Sequence, residues 1–289
     1  MANSASLPVV SVPSRAAPPG AVDCHHHVYD SRFATIPGAA YRPPDATAQD
    51  YRAFRETLGL ARSVVVQPSV YGVDNRCTFD AVAQLGDAAR AIVLIAGDET
   101  RDELEAMARA GAVGVRLQAV GQSRGAFDRL EWLATRVVEM DWHLQLHLDA
   151  DLIVAAAPRL RALKSRLVFD HFGRIPLAEG VKHPAFQVLA DLVADGNTWV
   201  KLSAGYHFSK LGPPRYADVG VLTQAFLRLG PERMLWGTDW PHPTEASKPD
   251  SAVLLDRFSE WAGDEATRTR VLVRNPESVY RFPSLIPQP

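Results

Sequence analysis

Short apolar runs rich in β-branched residues recur along the chain, and polar side chains gather at their C-terminal ends. The runs occupy residues 21–24, 63–67, 91–96, 112–117, 143–148, 166–170, 198–202 and 234–237, with starts 21 to 42 residues apart. Between them lie segments with apolar residues at three- and four-residue spacing, such as 127–140 and 151–163, as amphipathic helices require. Strand and helix alternating at this spacing predict parallel βαβ units. Eight such units in one domain predict a closed (β/α)8 barrel of the TIM type, in preference to a doubly wound open sheet, which usually has fewer strands. The barrel is expected to span residues 21–282. Residues 1–20, with four prolines, read as a flexible lead-in, and 283–289 as a C-terminal tail.

Composition narrows the function classes. Of the 289 residues 47% are apolar, enough for a substantial core, which excludes wholesale disorder. Charges nearly cancel, since 31 Lys and Arg face 33 Asp and Glu, so neither nucleic acid nor an anionic membrane is the expected partner. Two cysteines, Cys24 and Cys77, provide neither a disulfide framework nor a CxxC zinc module. The apolar stretch 7–12 is short and interrupted by Pro8, unlike a signal peptide, and no run approaches the roughly 20 residues of a membrane span. A soluble, cytoplasmic protein acting on a small molecule is expected.

Barrel enzymes place their chemistry at the C-terminal ends of the strands. Those ends carry Asp23 and His25–His27 on the first strand, Gln67 and Ser69 on the second, and Arg116 on the fourth. His147 follows on the fifth, His171 on the sixth, Lys201 and Ser203 on the seventh, and Asp239 and His242 on the eighth. Five of the nine histidines, His25, His26, His27, His147 and His171, fall at the ends of strands one, five and six alone. Alternation lets His25 and His27 face the axis together while His26 points away. Imidazoles so placed can share a metal or donate jointly to a developing oxyanion. Asp239, the acid at the end of strand eight, is the natural general base.

The stretches D-C-H-H-H at 23–27, V-F-D-H-F-G at 168–173 and W-G-T-D-W-P-H at 236–242 resemble the amidohydrolase superfamily, within it the amidohydrolase-2 branch. V-V-V-Q-P-S-V-Y-G-V-D-N at 64–75 and G-V-R at 114–116 extend the likeness, which runs in matching order from about residue 21 to 281. The resemblance implies a lactonase or a lactone isomerase. His25, His27, His171 and Asp239 would be catalytic, with Tyr41, Ser69 and Arg116 contacting substrate and Arg116 pairing with its carboxylate. His147, Lys201 and His207 are further expected substrate contacts at the same mouth. The dicarboxylate lactonases of the branch carry further arginines, where Gln122 and His207 stand here, and a tyrosine where His147 stands. These departures weaken the case for a dicarboxylate.

The resemblance further implies catalysis without a metal. Arg116 stands where binuclear relatives carry a lysine or glutamate, which argues against two ions. A single ion, zinc for choice, could be held by His25, His27, His147 and Asp239, three nitrogens and one oxygen. Residues 121–125, G-Q-S-R-G, match the nucleophile-elbow pattern, but five residues match by chance often and the motif leaves the strand-end histidines unused. A barrel that only binds a small acid is the non-catalytic alternative. Trp132, Trp142 and Trp199 read as packing residues, Cys24 as a small buried one, and His143 and His183 as peripheral.

Overall fold

A computed structural model describes residues 7–120 and 127–284. Eight parallel strands follow one another around a barrel: β1 (Val22–His26), β2 (Arg62–Val66), β3 (Ala89–Val93), β4 (Ala112–Gln118), β5 (His143–His147), β6 (Arg166–Phe169), β7 (Thr198–Ser203) and β8 (Met234–Gly237). Helices α1 (Ala48–Thr57), α2 (Arg76–Leu85), α3 (Arg101–Arg109), α4 (Leu130–Glu139), α5 (Ala150–Ala162), α6 (Pro184–Ala194), α7 (Ala217–Leu229) and α8 (Ser251–Trp261) form the outer layer. Thr47 and Thr100 start α1 and α3 through reciprocal capping boxes with Asp50 and Glu103. Two short helices, α9 (Glu265–Thr269) and α10 (Asn275–Tyr280), follow at the C-terminal end. The single-domain barrel is the architecture the strand–helix alternation predicts. Among the described residues no helix is long and apolar enough to cross a membrane.

The ring closes between β8 and β1 through main-chain bonds: Asp239 N–H donates to the His25 carbonyl at 2.7 Å, and His27 N–H to that of Trp240 at 2.8 Å. One apolar cluster lies between strands and helices. A second fills the barrel, where Val22, Cys24, Val64, Val66, Ile92, Val168 and Leu235 pack above Tyr280 of α10. Cys24, Trp142 and Trp199 are buried, as expected of packing residues.

Strand β1 carries one residue more than its neighbour. Asp23 lies opposite Ser63 but His26 opposite Val65, so three steps on β1 match two on β2. The bulge shifts the alternation, which turns Asp23 and His26 toward α1 while His25 and His27 face the axis. There the Tyr51 ring stacks on His26, centroids 3.4 Å apart, and its hydroxyl donates to Asp23 at 2.9 Å. Asp23 also accepts from the Thr238 amide at 2.9 Å and its hydroxyl at 2.6 Å, riveting β1 to β8.

Strand β3 departs furthest from the expected bounds. Strand β3 ends at Val93, not 96, because the Asn75 side chain takes over the main chain of Leu94 on both its N–H (3.0 Å) and its carbonyl (2.7 Å). The lead-in is held from Ser11 onward: the amides of Ser11 and Ser14 donate to Asp250 and Asp256, and Arg15 pairs with Glu265. The proline-rich composition signals irregular backbone, and these bonds tie it to the last helices.

Candidate active site

The mouth of the barrel opens into a cavity of about 390 Å³. Its wall includes His27, His147, His171, His207, Arg116 and Asp239, with Tyr41 and Ser69 from the loops after β1 and β2. Asp239 and His171 both adopt left-handed backbone, φ 63° and 51°, directly after β8 and β6. Non-glycine residues hold that conformation at a cost that surrounding structure must offset, and such residues gather at functional sites.

Four imidazoles surround the Asp239 carboxylate. His25, His27 and His171 bring Nε2 to 3.6, 3.7 and 3.8 Å from Oδ1, and His207 brings Nε2 to 3.4 Å from Oδ2. Tyr206 donates to Oδ2 at 2.6 Å and itself faces His242 Nδ1 at 2.8 Å. Because the tyrosine proton is committed to Asp239, His242 must donate, and its Nε2 is left to accept from Ser251 at 3.1 Å.

Burial sets the protonation of the ring. It presses His25 and His147 well below the ordinary imidazole pKa, His171 to about 4 and His242 to about 3. Burial also opposes the charge on His207, but Asp239 and Glu245 outweigh it and raise this one histidine. Burial would raise Asp239 as well, yet His171, His207, His25 and His27 hold it well below the usual carboxylate range. The site thus sets a carboxylate held low among imidazoles that burial biases toward the neutral form, with His207 biased the other way.

A second layer lies beneath this floor. Asp170, fully buried at the end of β6, accepts at Oδ2 from Arg116 Nε at 3.0 Å and Gln145 at 3.1 Å. Arg116 Nη2 lies 2.9 Å from the same oxygen. Lys201 donates to Gln145 Oε1 at 2.7 Å and stands 3.4 Å from Asp170 Oδ1. Arg116, expected to await a substrate carboxylate, therefore already holds a protein carboxylate, although its side chain reaches the cavity wall. Lys201, expected in the mouth, is wholly buried and does not line the cavity. A buried ammonium needs acidic and carbonyl partners, and β5 and β6 supply them one layer down.

The remaining expectations divide. Tyr41, with its hydroxyl 2.9 Å from that of Tyr29, lines the cavity beside Ser69 and His147. The ligating atoms of His25, His27 and Asp239 all lie within 4.8 Å of one another, but His147 does not join that group. Its ring meets His171 edge-on at 5.3 Å instead, so the four-residue metal shell is not formed. His143 is not peripheral: it is buried inside the barrel against Tyr280, centroids 5.3 Å apart. Gln122 and the G-Q-S-R-G stretch lie outside the described residues. Sequence reasoning missed Asp170, Gln145, Tyr206 and Arg174. Asp170 was within reach, standing between strand six and His171. Arg174, on the cavity wall three residues later, pairs with Asp149 at 3.0 Å.

Strand-end imidazoles converging on one aspartate inside a (β/α)8 barrel define a hydrolase-type centre. A family model described as amidohydrolase matches residues 22–282, and the chain belongs to that family. D-galactarolactone isomerase of Agrobacterium fabrum is 34% identical over 277 residues, 94% of this chain and 94% of its own. 4-Sulfomuconolactone hydrolase of Hydrogenophaga intermedia is 35% identical over 272 residues, 91% of this chain and 89% of its own. A crystal structure of a probable 2-pyrone-4,6-dicarboxylic acid hydrolase from Acinetobacter baumannii, with citric acid bound, matches with a TM-score of 0.82. It is 26% identical and covers 91% of this chain and 100% of that one.

Proposed function

We propose that this chain hydrolyses a lactone bearing a carboxylate. The carrying observation is the convergence of three histidine Nε2 atoms on Asp239 Oδ1, at 3.6 to 3.8 Å, where Asp239, His27 and His171 line a cavity that also holds Arg116 and Arg174 while His25 is buried beneath it. A lactone carbonyl set against that floor meets imidazole donors among these histidines, each worth about 3 kcal/mol in the transition state. Asp239 takes a proton from water as the water oxygen bonds to the carbonyl carbon. The tetrahedral intermediate collapses, the ring C–O bond breaks, and the Asp239 proton passes to the leaving alkoxide. The product is the open hydroxy acid. The relatives that open lactones support hydrolysis. The isomerase among them supports the second reading, in which a substrate hydroxyl attacks in place of water and a new ring forms.

A divalent ion fits the floor. His25, His27 and Asp239 would hold it, since His25 Nε2 is buried with no hydrogen-bond partner among the described residues. Such an ion would polarise the carbonyl and acidify a bound water. Our reading assigns these tasks to the imidazoles and Asp239. A proton-release screen over carboxylated lactones tests it, with Asp239→Asn as the control that should retain the fold and lose at least about 90% of the rate. Formation of an isomeric lactone without acid release would replace hydrolysis by isomerisation. Prolonged dialysis against a chelator should leave the rate unchanged; loss reversed by stoichiometric zinc would transfer carbonyl activation to the metal.

A further inference from the structure

His25 and His27 present the same nitrogen to the same carboxylate oxygen, but their far nitrogens meet opposite partners. His27 Nδ1 lies 2.7 Å from the Val66 carbonyl. A carbonyl only accepts, so Nδ1 carries the hydrogen and Nε2 is a bare lone pair. His25 Nδ1 lies 3.2 Å from Lys201 Nζ, which only donates when charged. Asp170 Oδ1 is equally near that nitrogen, at 3.2 Å, yet has no aligned hydrogen-bond partner among the described residues. That oxygen also attracts the Lys201 ammonium at 3.4 Å, while Arg116 and Gln145 occupy the other oxygen. Gln145 Oε1 accepts from Lys201 at 2.7 Å and fixes the ammonium under the ring.

We infer that Lys201 is a positioning residue that holds His25 as the Nε2–H tautomer, so that the two histidines of one strand do opposite work. His25 donates toward the carbonyl oxygen, and His27 accepts a hydrogen bond from the attacking water, whose other proton goes to Asp239. These two assignments rest on the lactone-hydrolysis reading; the tautomers themselves do not. A protonated Nε2 is also a poor metal ligand, whereas His27, donating backward to a main-chain carbonyl, has the usual arrangement of a ligating histidine. Lys201 thereby biases the floor against a cation.

Nitrogen-15 two-bond spectra of the histidine-labelled, full-length protein test the tautomers directly. His25→Gln and His27→Gln assign each pattern by its disappearance. The expected result is an Nε2–H pattern for His25 and an Nδ1–H pattern for His27 in the unmodified protein; an Nδ1–H pattern for His25 overturns the proposal whatever the activity. In Lys201→Met, His25 should turn its Nδ1–H to Asp170, kcat should fall about tenfold or more at little-changed KM, and zinc should bind about tenfold more tightly. Lys201→Gln, whose amide can still donate, should keep the original pattern and recover part of kcat. An unchanged His25 pattern in a folded Lys201→Met protein overturns the role of Lys201. Absence of turnover on every lactone, with both tautomers as stated, defeats the substrate reading alone.

Discussion

Two arginines reach the same cavity but differ in what they already hold. Arg116 is almost wholly buried and gives two nitrogens to Asp170, whereas Arg174 is a quarter exposed and pairs with the more exposed Asp149. Removing one partner of a buried ion pair strands the other charge, at about 3–5 kcal/mol. Arg116→Met should therefore lower the unfolding midpoint and depress turnover of neutral and carboxylated lactones together. Arg174→Met should leave stability nearly unchanged and raise KM for carboxylated lactones selectively. A selective effect at Arg116 with full stability would restore it as the carboxylate-binding residue. Sequence showed that Arg116 belongs to the mouth, because its place at a strand end marks it. It could not show the Asp170 pair, because those residues stand 54 positions apart and only the register of three strands brings them together.

Elements were the most legible scale. Strands buried on both faces are nearly continuous apolar runs, and in this fold the end of each run is where function sits. What stayed hidden were departures from regular periodicity. The extra residue in β1 has no compositional mark, since each residue from Asp23 to His27 suits several positions. Tyr206 lies on a short turn, Gly205–His207, where no period points its side chain at Asp239. The seam between β8 and β1 is tight at Gly237, where an added Cβ would lie 2.7 Å from the His25 amide nitrogen and 2.9 Å from its Cβ. Backbone cannot yield as a side-chain tip can. Gly237→Ala should cost about 1–3 kcal/mol in thermal or urea unfolding, and lower turnover by parting His25 from Asp239. A variant with wild-type stability would show that the strands can separate freely.

At the scale of the whole molecule, the buried histidines make folding sensitive to acid. His171 is depressed to about 4, and His143 and His242 to about 3, from an ordinary value of 6.5. The folded chain then binds fewer protons than the unfolded one, so this stability is complete above pH 6.5 and is lost as pH falls toward 4 and then 3. Asp239 and Asp170, held low, add to the loss at the acid end. Asp23, raised by burial to about 6, acts the other way, favouring the folded state as it gains its proton, but it is one group against several. The urea midpoint should fall steadily below pH 6.5. A flat profile down to pH 4 would mean that these histidines take up protons without unfolding. The closure of the barrel also bears on how such a protein acquires new substrates. His25, His27 and Asp239 supply both the reacting side chains and the main-chain groups that shut the ring, so any floor substitution that displaces the backbone also disturbs the seam. Tyr41, Ser69 and Arg174 carry no such double duty. Diversification is channelled to the rim, where an unsuccessful change costs affinity for one lactone and leaves the next trial a folded protein to start from.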